Sequence, residues 1–291
     1  MFLKQYKSPN ELVEYLISKG VSVYNKEDTL NKIKKYSYYS IVNSYKDVFK
    51  TFGNNYKKNV SFDEIYALYD FDKNIRSIFL KYILEIETII KSLLAETISE
   101  KYGIENYLIV DNFDNSVNSS TIQESIDKIN EEIDKQNGKH EALTHYINEY
   151  KFVPPFVLTK ILTLGELSRL YTMLKQSDRQ MISKEFKVSD KLLKQIMKNM
   201  TMVRNICAHN DRLFSFHSKF LLTFKDIDKN YINKDNSTNV YMIMKSMQAL
   251  LDEDKSSEFE KLIDDELSKL ESKIKSVDIN IILYLMGFYN E

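Results

Sequence analysis

The chain of 291 residues has one cysteine, three prolines, six glycines and no tryptophan. A single cysteine, Cys207, excludes an internal disulfide and a cysteine-based zinc site within one chain, so nothing points to an oxidising compartment. So few glycines and prolines leave few places for tight turns, as is typical of all-α proteins. Because 41 basic residues are balanced by 42 acidic ones, any nucleic-acid partner must contact a local patch.

Long apolar runs are also missing. No uncharged apolar run approaches the roughly 20 residues that a membrane span requires. The opening MFLKQYKSPNELVEYL has Lys and Glu among its apolar residues, which is unlike a signal peptide. The four histidines are scattered and do not form a metal-binding pattern with carboxylates. We therefore expect a soluble, cytoplasmic protein with no bound metal, no cofactor and no membrane partner.

Helix signals are abundant, because Leu, Ile, Lys and Glu recur at intervals of three and four. Ser8 and Glu11 form a capping box at the first helix, and Ser61 and Glu64 form another before an apolar stripe that continues to Gly103. One helix of about 40 residues fits that stripe, and so does a break near residues 69–72. Another helix is expected from about residue 120, where Ser120 and Gln123 form a further capping box. Further helices are expected over 155–175, 177–187 and 189–208, and twice after 240.

The most basic stretch lies between residues 32 and 58, where lysines alternate with tyrosines. Ammonium groups bind phosphates and tyrosine rings stack on unpaired bases, so we predict RNA contacts here. The predicted contact residues are Lys32, Lys34, Lys35, Tyr38 and Tyr39. The alternative is a solvated helix face whose tyrosines pack inward.

The sequence RNICAHNDRLF, residues 204–214, contains the strongest candidate site. On a helix, Asn205 and His209 lie about 40° apart on one face, whereas Arg204 lies about 140° from His209. An imidazole can exchange a proton near neutral pH and a guanidinium can bind a phosphate through two hydrogen bonds, which suits RNA cleavage without a metal. Spacing alone also fits packing and capping roles. Arg212 is a further candidate for a phosphate contact, or for capping the preceding helix.

The stretch RNICAHNDRLF resembles the RNxxxH signature of the HEPN superfamily of helical ribonucleases. The stretches YSYYSIVNSY, FDKNIRSIFLKYILEIETIIKSLLAETI and HYINEYKFVPPFVLTKILTLGELSRLY precede it in the order and spacing of the Abi-like family, which includes AbiD and AbiF. The resemblance covers residues 5–220. It implies an all-α, HEPN-like helical bundle at 59–220, with an extra basic helical segment at 1–58 and an acidic one at 221–291.

The same resemblance implies a function. Abi-like proteins are abortive-infection toxins of antiviral defence, and the family's catalytic positions fall on Arg204, Asn205 and His209 of this sequence. Their motif helices pair across a two-fold axis, which implies a homodimer here. The implied partners are RNA as substrate and a small structured noncoding RNA. The alternative is a non-catalytic RNA-binding protein that holds such a noncoding RNA.

Overall fold

The computed structural model describes residues 6–234 and 236–289. Within those residues the chain forms twelve α-helices and one antiparallel pair of two-residue strands, β1 (His217–Ser218) and β2 (Thr238–Asn239). The helices are α1 (Pro9–Ser18), α2 (Lys26–Tyr36), α3 (Phe62–Tyr102), α4 (Ser119–Gln136), α5 (Glu141–Tyr150), α6 (Pro155–Ile161), α7 (Leu164–Met173), α8 (Gln176–Glu185), α9 (Asp190–His209), α10 (Val240–Gln248), α11 (Glu253–Lys273) and α12 (Ile279–Met286). A π-helix (Tyr39–Asn43) and 3₁₀ turns (Lys46–Phe49, Val110–Asn112, Phe224–Asp226) complete the described elements. The all-α prediction is confirmed.

The central element is α3, an unbroken helix of 41 residues and about 60 Å. The predicted capping box begins it: Ser61 Oγ accepts the Glu64 N–H at 3.3 Å, and the Glu64 carboxylate accepts the Ser61 N–H at 3.0 Å. Buried side chains continue through the segment where a break was the alternative, including Tyr69, Phe71 and Asp72. Because packing is continuous there, the chain stays helical.

Three helices, α6, α9 and α11, pack along α3, and α7 packs on α9. Phe259 of the acidic helix α11 lies edge-on to Phe79 and close to Tyr82, with ring centroids 5.3 Å and 4.6 Å away. A Cβ added at Gly165 would lie 3.3 Å from Thr201 Cγ2, so glycine allows α7 to approach α9 closely. These contacts hold α9 between α3 and α7.

Two helix predictions are wrong in detail. The stretch 155–175 is two helices, because Thr163 is extended (φ −71°, ψ 161°) and starts α7 with its own capping box, in which its N–H donates to Glu166 at 2.7 Å. The next correction concerns α4, which is capped by Asn118 instead of Ser120. A third helix after residue 240, α12, was not predicted.

Buried residues of all three predicted segments belong to one continuous core. Leu16 of the N-terminal segment, Leu94 of the central segment and Met286 of the C-terminal segment are all part of it. Glu64 also connects the central segment to the C-terminal one, since its Oε1 accepts the N–H groups of Lys275 and Ser276 at 2.6 Å each. The division at residues 58 and 220 stays a prediction about domains.

Candidate functional site

The motif lies at the C-terminal end of α9. Ser189 caps the start of the helix, with Oγ accepting the Leu192 N–H at 3.2 Å. The helix ends at His209, because Asn210 adopts a left-handed conformation (φ 58°, ψ 30°) and the Asp211 N–H donates back to the Ile206 carbonyl at 3.0 Å. The predicted helix end is therefore confirmed, and the histidine stands at the last helical position.

The motif side chains divide between two directions. Asn205 and His209 are exposed, and one helical turn separates them on the same face. Arg204 is half-buried, and its Nε is buried without a hydrogen-bond partner among the residues described. By helix geometry, its Cα lies about 9 Å from that of His209 and its side chain leaves α9 about 140° away. Within one chain, the Asn205 amide and the His209 imidazole therefore share one face of α9, and the Arg204 guanidinium lies to the side of that face.

The opposite face of the motif is buried. Val203 and Cys207 belong to the core. Burial raises the pKa of the Cys207 thiol to about 12, because a thiolate would be desolvated there. Cys207 is therefore a neutral packing residue, and the exposed groups of the motif lie on the other side of the helix.

The exposed face of α9 is cationic. Residues 191–209 contain no Asp or Glu. Lys191, Lys194 and Lys198 are exposed and lie within about 60° of the His209 direction on the helix. A groove of about 1060 Å³ between α9, α4 and α7 includes Lys194, Lys198 and Met202. This face is suited to attract an anion toward the motif.

A buried carboxylate fixes the chain just after the motif. Asp72 of α3 accepts the N–H groups of Leu213 at 3.1 Å and Phe214 at 2.6 Å. It also accepts the Tyr45 hydroxyl at 2.6 Å and forms an ion pair with Arg76 one turn further along α3. Arg76 donates in turn to the Asp211 carbonyl at 3.2 Å. We call these groups the Asp72 clamp.

The electrostatics of the Asp72 clamp are those of a buried, satisfied charge pair. Asp72 is fully buried, and burial raises its pKa, while Arg76 and the three donated hydrogen bonds favour the charged form. Burial and the neighbouring carboxylate raise the pKa of Tyr45, so its hydroxyl stays protonated and donates. Sequence reasoning missed this clamp. Its one local signal was an Asp and an Arg four residues apart within an apolar helix stripe.

Two of the three predicted RNA-contact lysines on α2 have other partners. Lys32 forms an ion pair with Asp28 at 2.6 Å and lies 4.3 Å from the Tyr66 ring centroid. Lys34 and Lys35 are exposed in the last turn of α2, with Lys35 Nζ 5.1 Å from the Tyr36 ring centroid. These three lysines do not line the groove occupied by the two predicted tyrosines.

Tyr39 is the first residue of the π-helix and Tyr38 immediately precedes it, and both line a groove with residues of α1 and of the turn 50–56. Tyr38 is half-buried and Tyr39 is 73% exposed. Arg212 is exposed and bridges the motif to this region, because its guanidinium donates to the Ser44 carbonyl at 2.7 Å. That carbonyl belongs to another segment, so Arg212 does not cap its own preceding helix.

A family model described as "Abi-like protein" matches residues 31–215, well over half of the chain. The chain belongs to the Abi-like protein family. The predicted resemblance is confirmed, and membership suggests a role in abortive-infection defence. No curated protein and no solved structure matches the chain.

The region matched to the Abi-like proteins extends from α2 to Ser215, so it includes the Asp72 clamp, the π-helix and the whole motif helix. Among residues 6–234 and 236–289, no helix is both long and apolar enough to cross a membrane. In the same part of the chain, no group of three or more His, Cys, Asp or Glu side chains is placed to hold a metal ion.

Proposed function

We propose that this Abi-like protein is a HEPN-type, metal-independent endoribonuclease of antiviral defence, acting through Arg204, Asn205 and His209. The observation that carries the proposal is an exposed imidazole beside an exposed amide on a cationic helix face. The Asp72 clamp supports it, because a reactive group needs a fixed orientation and the clamp holds the segment immediately after His209.

The chemistry follows from the groups present. His209 takes the proton from a ribose 2′-hydroxyl, and the resulting oxygen attacks the adjacent phosphorus. The bond from phosphorus to the 5′-oxygen breaks, and that oxygen takes up a proton as it leaves. The products are a 2′,3′-cyclic phosphate and a 5′-hydroxyl. Asn205 holds one ring nitrogen of His209, while Arg204 neutralises charge on the phosphorane.

A homodimer completes this site. Within one chain Arg204 leaves α9 about 140° away from His209, so its guanidinium is poorly placed for the same phosphate. A second α9 packed against the first supplies Arg204 of the partner subunit to the imidazole of this one. Closed two-fold symmetry is also the commonest arrangement of homo-oligomers. Cleavage of cellular RNA would halt the infected host, and a small structured noncoding RNA is the second proposed partner.

The test incubates the purified protein with mixed RNA in EDTA. We expect wild type to release 2′,3′-cyclic phosphate ends, and Arg204→Ala and His209→Ala to lose activity, by about 100-fold or more for the histidine. His145→Ala, which changes an exposed histidine of α5, is the matched control and should cleave normally. If wild type and variants are equally inert but bind RNA tightly, the protein is the non-catalytic RNA-binding alternative.

A further inference from the structure

A groove of about 1190 Å³ opens at the N-terminal end of the fold, between α1, the chain around the π-helix and the turn at 50–56. Its described lining is dominated by two residue types. The tyrosines are Tyr6, Tyr15, Tyr38, Tyr39 and Tyr56. The lysines are Lys7, Lys19, Lys46 and Lys50. No Asp or Glu is among the described lining residues, so the groove concentrates positive charge in a protein whose net charge is near zero. We call it the tyrosine groove.

Lys19, Lys46 and Lys50 of the tyrosine groove are held by neutral partners, whereas Lys7 is also attracted by the Glu11 carboxylate. Lys46 and Lys50 donate to side-chain oxygens of Asn43 and Asn54 at 2.7 Å and 2.6 Å. Lys19 lies 5.4 Å from the Tyr15 ring centroid, at cation–π distance. Within the described chain, no carboxylate neutralises any of the four lysines by an ion pair, in contrast to Lys32 on the neighbouring helix. Their charge is available to an anion.

Three of the five rings of the tyrosine groove are unusually accessible. Tyr6 is 86% exposed, Tyr39 is 73% exposed and Tyr15 is 41% exposed. Aromatic faces beside uncompensated cations are the combination that binds single-stranded nucleic acid, because bases stack on the rings while phosphates contact the lysines. A duplex offers phosphates, but its bases are already stacked and paired.

The tyrosine groove is connected to the motif. Its edge at Asn43 and Lys46 flanks Ser44, whose carbonyl accepts the Arg212 guanidinium at 2.7 Å. Arg212 follows His209 by three residues. A strand that leaves the groove at this edge therefore reaches Arg212, which is three residues from His209 along the chain.

We infer that the tyrosine groove binds an unpaired RNA segment and directs it past Arg212 to His209. The inference rests on the proposed function for its choice of RNA. It moves the principal RNA contact from the lysines of α2 to a surface that also uses α1. Tyr39 is the main stacking platform, and phosphates contact Lys19 at the end of α1 and Lys50 at the turn 50–56.

Binding is measured in a His209→Ala background, so that RNA remains intact, by fluorescence anisotropy of a labelled, unstructured 12-nucleotide RNA over a salt series. We expect Tyr39→Ala to weaken binding about 5- to 150-fold through the loss of one stacked base, and Tyr39→Phe to bind as the parent does. Lys19→Gln combined with Lys50→Gln should reduce the slope of log K against log salt by about 1.4.

The matched control is Lys261→Gln with Lys273→Gln, which removes two exposed lysines of α11. Equal losses in the groove pair and the control pair would overturn the inference, because the attraction would then be nonspecific. The inference would also be overturned if Tyr39→Ala and Tyr39→Phe bound the RNA with equal affinity, or if a duplex of the same sequence bound as tightly as the single strand. Binding of polyglutamate in place of RNA, unaffected by Tyr39→Ala, would identify a protein-docking surface and also reject it.

The two proposals fail separately. If wild type never cleaves RNA but the groove variants lose binding as expected, the nuclease is rejected and the tyrosine groove stands. If wild type cleaves RNA and the groove variants bind and cleave as it does, the groove is rejected and the nuclease stands.

Discussion

A heterodimer in which one chain carries Arg204→Ala and the other carries His209→Ala tests where the reactive pair comes from. If Arg204 acts with His209 of the partner subunit, this heterodimer has one intact pair and one pair that lacks both groups. If the two groups act within one chain, both pairs are broken. The two arrangements therefore give opposite results from the same protein.

The size of the expected signal follows from the geometry of α9. The Cα atoms of Arg204 and His209 lie about 9 Å apart and their side chains diverge by about 140°, which argues for action between chains. One intact pair of two predicts about half the wild-type rate. Each single-variant homodimer should retain about 1% or less, so contamination by homodimers contributes little.

The assay uses two different affinity tags, sequential purification and RNA cleavage in EDTA. The reciprocal control pairs a wild-type chain with one that carries both substitutions. This second heterodimer should be inactive if the pair forms between chains and about half-active if it forms within one. Inactivity of the first heterodimer together with activity of the second would refute an active site that takes Arg204 from one chain and His209 from the other. A protein that is strictly monomeric by light scattering and still cleaves RNA would refute it too.

Three predictions concern stability. Asp72→Asn should lower the free energy of unfolding in urea by about 3 to 5 kcal/mol, because it leaves Arg76 buried without its counter-charge. The control Asp70→Asn breaks the part-exposed ion pair with Lys73 and should lower it by at most about 1 kcal/mol. Equal losses in the two variants would contradict this account. Burial raises the pKa of Tyr56 to about 12, so the folded state favours the protonated hydroxyl. The contribution of this hydroxyl to folding stability is complete below pH 10 and is lost as pH rises toward 12. Melting temperatures measured over this pH range should fall, and the fall should be smaller in Tyr56→Phe. Thr163→Ala should cost about 1 kcal/mol in the same urea assay through loss of the α7 cap, and an unchanged midpoint would argue against that role.

Features determined by near neighbours in sequence could be predicted. The capping boxes at Ser8 and Ser61 and the helix end at His209 depend on residues within a few positions, so local patterns identify them. The break at Thr163 was signalled equally locally, but the apolar periodicity of 155–175 continues across it and concealed the cap. The position of Arg204 relative to His209 followed from helix geometry alone.

Features formed by distant segments could not be predicted. The Asp72 carboxylate and its Leu213 partner are 141 residues apart, and no pattern near either residue specifies the other. The tyrosine groove forms because α1 meets the chain around the π-helix, so Tyr15 and Lys19 had no visible relation to Tyr39. The ion pair of Lys32 with Asp28, by contrast, joins residues four apart on α2, and that spacing is visible in the sequence.

The Asp72 clamp has a consequence for protein engineering. The direction in which His209 leaves the bundle depends on a carboxylate and a guanidinium carried by α3, so RNICAHNDRLF is not a self-contained unit. A transplant of α9 together with the residues up to Phe214 into another helical scaffold would lose the acceptor for the Leu213 and Phe214 amides, and we expect the grafted turn to lose its conformation. A working transfer must carry the Asp72 and Arg76 turn with it.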